Sequence, residues 1–165
     1  MKKLSLVLAI GLSLVLMAGG AFAASDTKTL TINAAVNARA TLTLGQSTIH
    51  FPDADPDSGP VGATENPVSV TASVRQGASQ IANLTCLASS DLTSGSDTIA
   101  ISDVSWVAGG NGFVGGTMSK ASAQSAGSWT GSGSRSSTFS YSLANRWSYA
   151  TGNYTAQVVY TLSTP

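Results

Sequence analysis

An all-β chain folded as an antiparallel sandwich is what the sequence predicts, on three observations. Apolar and polar residues alternate with period two in several windows. Glycine and proline turn signals recur about every ten residues. No window carries the spacing of a long amphipathic helix. Composition agrees: beyond residue 23 the chain holds 24 Ser, 18 Thr and 14 Gly, which suits short strands with polar outer faces and glycine turns.

The 165 residues leave room for one domain. Met1-Lys2-Lys3 is a short basic start, Leu4 to Ala18 is an apolar run, and Ala21-x-Ala23 puts small residues where a signal peptidase reads. Residues 1–23 therefore read as a signal peptide. The run is about 15 residues, short of the roughly 20 that span a bilayer, and no later segment is apolar enough, so no membrane span is expected after processing. The mature chain is expected to be secreted, crossing the periplasm in transit to the cell surface or beyond. It keeps six basic and eight acidic side chains, a net of −2, which argues against a nucleic-acid partner. A single Cys excludes an intrachain disulfide and a Cys-rich zinc site, and a single His excludes His-rich metal sites.

The strongest periodic signal opens the mature chain. Every even position from Leu30 to Leu44 is apolar, and nearly every odd one is polar. Fifteen residues at about 3.3 Å each reach roughly 50 Å, whereas strands usually run about five or six residues. Either the run bends at its Ala-rich middle and stays in its own sandwich, or its first half lies outside its own domain. Further strands are expected at Ser47–Phe51, Val68–Val74, Ile81–Leu87, Ile99 through Val107, Ser137–Leu143 and Tyr154–Leu162, with a short edge piece at Phe113-Val114 and a minor strand at Trp129. Pro52 to Pro67 and Ser89 to Asp97 read as loops. Seven to nine short strands point to an immunoglobulin-like sandwich. Tyr154, following Gly152-Asn153, is a candidate corner tyrosine whose hydroxyl bonds nearby backbone.

Chemistry is sparse. Cys86 shares a strand face with Ala82 and Leu84 and reads as a buried thiol, the alternative being an intermolecular disulfide or a reactive thiol. His50 stands opposite Ile49 and Phe51 and reads as a surface residue. No nucleophile elbow or phosphate-cradling loop occurs. Asp53, Asp55 and Asp57 resemble the start of a calcium loop, but Ser58 and Thr64 occupy the positions of its tight-turn Gly and bidentate Glu. They are the only metal candidates; no cofactor and no enzymatic activity are expected.

The opening Leu30-Thr-Ile-Asn-Ala-Ala-Val36-Asn-Ala-Arg-Ala-Thr-Leu42, then Ile49-His-Phe51 with its Asp-Pro loop, and the closing Ala150-Thr-Gly152-Asn-Tyr154 through Leu162 resemble the spore-coat-U-type secreted proteins. That family includes the pilins of archaic chaperone–usher systems. Its members often carry a Cys in the first strand, where this chain has Ala40 or a neighbour. The resemblance implies a subunit lacking one strand, whose N-terminal extension fills the gap in a neighbour by β-augmentation. Residues 24–37 would then be the extension or donor strand, with Leu30, Ile32, Ala34 and Val36 binding the partner, and residues 38–165 the sandwich domain. The implied function is a non-enzymatic structural subunit of a surface pilus or coat. Its partners would be copies of itself or related pilus subunits, a periplasmic chaperone and an outer-membrane usher. The alternative is a monomeric secreted sandwich that binds glycan or another surface ligand through Trp106, Trp129 or Trp147.

Overall fold

The computed structural model describes residues 24–165; the signal peptide expected at residues 1–23 lies outside them. From residue 24 to 38 no strand forms, and the side chains are exposed. Residues 35–165 form a compact unit of their own, and the architecture below belongs to it.

That architecture is an antiparallel β-sandwich of eleven strands. They are β1 (Arg39–Leu44), β2 (Val61–Gly62), β3 (Val68–Arg75), β4 (Ile81–Ala88), β5 (Leu92–Ser94), β6 (Asp97–Ile99), β7 (Val104–Ala108), β8 (Gly116–Thr117), β9 (Gln124–Thr130), β10 (Gly133–Leu143) and β11 (Val158–Ser163). One sheet runs β1-β3-β10-β7-β8, with β2 paired to the end of β10; the other runs β11-β4-β9; β5 and β6 form a separate hairpin.

Alternation explains the long strands. On β3 the side chains of Val68, Val70, Ala72 and Val74 are buried, and on β4 those of Ala82, Leu84, Cys86 and Ala88. These two rows supply the facing inner surfaces of the sandwich. An aromatic cluster fills the space between: Phe139 sits edge-on to Trp106, Phe113 and Tyr141, and stacks on Tyr160 of the opposite sheet at 5.9 Å. Such contacts contribute about 0.5–1.5 kcal/mol each beyond burial. Trp106 and Trp129 point their indole N–H groups at the carbonyls of Val114 and Asn111, so both rings are buried without an orphaned donor.

Several elements differ from the sequence expectation. Ser47–Phe51 forms no strand. His50 accounts for it: its N–H donates to Glu65 Oε2 (2.7 Å) and its carbonyl accepts from Thr64 N–H (2.8 Å), so loop contacts replace a sheet ladder. The expected continuous segment from Ile99 to Val107 is broken by a 3-10 turn at Ile101–Asp103, whose first N–H is held by Asp91 Oδ1. The polar stretch after Ser89 contains the β5–β6 hairpin, and the last strand starts at Val158 rather than Tyr154. Trp129 belongs to the seven-residue β9, and β10 begins four residues before Ser137. The added β5–β6 hairpin, β9 and the start of β10 share one cause: small polar residues satisfy strand hydrogen bonding without any hydrophobic alternation to announce it.

Gly112 has φ +82°, and a Cβ there would collide with the Trp129 ring. Gly112→Ala should therefore lower the melting temperature more than Gly110→Ala, where φ is also positive but nothing stands close. Leu84→Ala, at a fully buried site, should cost about 2–5 kcal/mol by denaturant titration.

Candidate functional site

Leu84 and Leu162 are cross-strand partners in the same sheet, yet they are buried very differently. The inward side chains of β4 are 0–2% exposed, while those of β11 (Val158, Tyr160 and Leu162) remain half-buried. The reason is position. β11 pairs with β4 on one side and ends its sheet on the other.

The main chain shows which groups face that open edge. Ala88 N–H donates to Ser119 O (2.9 Å), away from β11, so Val158 and Ala88 form a non-hydrogen-bonded pair. Gln157 O instead accepts from Ser89 N–H on the β4 side (2.9 Å). Antiparallel alternation then turns the N–H and C=O of Val158, Tyr160 and Leu162 toward the free edge. A bare edge of this kind is a template for another strand.

Across the gap stands β1, the edge of the other sheet, with Leu42 and Leu44 also half-buried. Beyond Leu44 the chain leaves the ladder, and a cleft of about 740 Å³ opens. Leu44, Ile49 and Phe51 line one wall, and Ala156, Val158 and Tyr160 line the other. Val68, Val104, Met118 and Tyr141 also line it. Tyr141 and Tyr160 join their hydroxyls at 2.9 Å across the sandwich, and burial pushes both phenols above their ordinary pKa, so the pair is uncharged. The cleft is thus a mainly apolar slot, with polar residues such as His50, Asn153 and Gln157 in its lining and main-chain donors and acceptors along one rim.

The sequence-derived candidates fall as follows. Leu30, Ile32 and Val36 are 81%, 82% and 70% exposed, and Ala34 is exposed as well. Asp55 caps a 3-10 turn at Pro56–Ser58 by accepting from Asp57 N–H (3.0 Å), while Asp57 Oδ1 accepts from the indole of Trp147 (2.9 Å). Among the described residues no three His, Cys, Asp or Glu side chains group as a metal site, so Asp53, Asp55 and Asp57 do not converge on one centre. Trp106 and Trp129 are core residues; Trp147 is 73% exposed. His50 lies at the cleft wall with Nδ1 2.6 Å from Glu65 Oε1, and this bond holds the Glu65 carboxyl below its usual pKa. Tyr154 donates its hydroxyl to Ala150 O (2.8 Å).

The cleft itself was invisible in the sequence as a site. Its only signal was the excess length of the Leu30–Leu44 alternation.

Cys86 is buried against Met118, and burial pushes its thiol up to about 11. Mass spectrometry after iodoacetamide at pH 8 should find the native thiol unlabelled and the unfolded one labelled. Because the folded pKa is the higher one, this thiol's contribution to stability is intact below the ordinary thiol range. It is lost as pH climbs toward 11.

Compared with known protein families and with curated proteins, the chain matches no family model and no curated relative.

Proposed function

We propose that the protein is a non-enzymatic, secreted structural subunit of a surface pilus or coat that assembles by donor-strand complementation. The observation that carries this reading is a pair of unsatisfied partners in one chain. The sandwich has an apolar slot beside an unpaired strand edge, and residues 30–36 present exposed apolar side chains at every second position.

Seven donor residues in extended form reach about 23 Å, against about 20 Å for the six residues of β11, of which Val158 and Tyr160 line the cleft. Side chains two residues apart project to the same face, so Leu30, Ile32, Ala34 and Val36 enter the slot together while Thr31, Asn33 and Ala35 face solvent. Burying the three large side chains contributes about 1.5–3 kcal/mol each. Each main-chain bond to β11 adds about 0.5–1.5 kcal/mol. These gains offset an association cost of about 4–15 kcal/mol, so a stable joint needs the whole strand seated. A joint that is head-to-tail and does not close on itself propagates as a filament. The expected partners are further copies or related pilus subunits, with a periplasmic chaperone and an outer-membrane usher handling the open slot before assembly.

Deleting residues 24–37 should leave a folded sandwich that stays monomeric in size-exclusion chromatography, while the mature chain forms higher species. A synthetic peptide of residues 27–37 should stabilise the deleted form, by about 2.7 kcal/mol at one hundred times its Kd. The Ile32→Asp peptide should not. A mature chain that remains compact and monomeric, with no peptide effect, would sink the fibre reading. It would leave the second one, a monomeric module binding glycan, which Trp147 favours as the exposed tryptophan of the three.

A further inference from the structure

The charged residues of the sandwich are sorted by end. At the end where β1 begins, β3 finishes and β10 begins lie Arg39, Arg75 and Arg135. Arg39 is the cross-strand partner of Arg75, and Arg135 reaches Thr130 O at the close of β9. None of the three makes an ion pair, and no acidic side chain of the described residues lies in the connections there: Gln76–Gln80 and Gly131-Ser132 are uncharged.

Every acidic side chain from residue 35 onward belongs to the opposite end. Asp53, Asp55 and Asp57 lie in the loop that Asn145 Nδ2 fastens at Ala54 O, just past the end of β10. Glu65 follows β2, and Asp97 opens β6. Asp91 and Asp103 are there too, each paired with a cation, Lys120 and Arg146. The arithmetic is three positive charges at one end against seven negative and two positive at the other, a net of −5 with His50 neutral. The eleven-residue β10 sets the ends about 36 Å apart, several times the Debye length of about 8 Å at physiological salt. Neither end neutralises the other within one molecule.

The same two ends are the ones a donor-strand joint would bring together. The cleft opens at the acidic end: its lining residues Phe51, Leu92 and Ile99 adjoin Asp53, Asp91 and the β6 strand of Asp97. The extension joins the sandwich at the basic end, where Arg75 Nε donates to Asn37 O (2.8 Å) two residues before β1. From Val36 to Arg39 is at most about 10 Å of chain. A Val36 seated in a neighbour's cleft therefore carries Arg39 and Arg75 to within a short reach of that neighbour's acidic loops.

We propose that successive copies of this chain dock end to end, the Arg39, Arg75 and Arg135 face of one against the Asp53, Asp55 and Asp57 face of the next, and that this attraction steers strand insertion. The inference rests on the donor-strand reading and adds to it a defined second contact and a fixed polarity. Opposite potentials at docking faces chiefly raise the association rate and make it fall with salt.

The test follows assembly of the mature chain by light scattering at 50 and 500 mM NaCl. The expected result is a drop of about tenfold or more in rate at the higher salt. An Arg39→Glu, Arg135→Glu variant, which spares the Arg75 bond to Asn37, should assemble slowly even at low salt. So should an Asp53→Lys, Asp55→Lys, Asp57→Lys variant. Mixed together, the two offer opposite charge at both joints, and the mixture should recover most of the wild-type rate. Circular dichroism melts matching the wild type keep a misfolded variant from imitating the effect. Wild-type assembly that ignores salt, or slow variants that the mixture fails to rescue, overturns the end-to-end contact and leaves donor-strand assembly standing. A wild type that never assembles at either salt overturns both.

Discussion

The unpaired edge of β11 is the constraint on which the rest of the molecule depends. A β-sandwich closes its core only where each inner strand has a neighbour on both sides to shield its inward side chains. β4 has two, and its inward row is essentially buried; β11 has one, and Val158, Tyr160 and Leu162 stay half-open. The same vacancy leaves main-chain donors and acceptors without a ladder. Apolar surface and free backbone groups on one rim are the two things an incoming extended segment supplies at once. Water satisfies the backbone groups but not the side chains, so the inward row of this edge strand stays only partly covered.

How the domain tolerates such a gap is a matter of where its cohesion sits. The aromatic cluster around Phe139 lies between the sheets, and it draws on β7, β9, β10 and the loop at Phe113. Tyr160 alone connects it to β11, by stacking on Phe139 and by the hydroxyl contact with Tyr141. The core is thereby held mainly by strands other than β11, with Tyr141 of the same cluster forming part of the cleft wall, while one aromatic residue stakes the edge strand in place. At the basic end, Gln76 and Ser132 exchange hydrogen bonds between the two adjoining turns, closing the sandwich without any ion pair. The loops at the other end do the opposite. They are fastened by side chains such as Asp57 to Trp147, Tyr149 to Asp103 and Asn145 to Ala54 O. A domain with one plain, basic end and one elaborated, acidic end has a direction, and a directional building block is what a head-to-tail assembly requires.

The sequence by itself determined the parts whose physics is local. Period-two alternation marked β3 and β4 and the facing apolar rows, because a buried sheet face admits no other pattern. It placed Cys86 in the core by its company with Ala82 and Leu84, and it flagged the segment from Leu30 to Leu44 as too long for a single strand in a small sandwich. Strands of small polar residues escaped it. β5, β8 and the first residues of β10 bury little, so nothing in their residue types separates them from loop. Tertiary structure alone decided which strand has an unpaired edge, since that is a property of sheet order and not of any residue. It also decided that Asp55 caps a turn and Asp57 holds Trp147 rather than grouping with Asp53 as a metal site, and that basic and acidic side chains scattered along the chain gather at opposite ends. Charges distant in sequence become one surface only when the register of the strands brings their ends together.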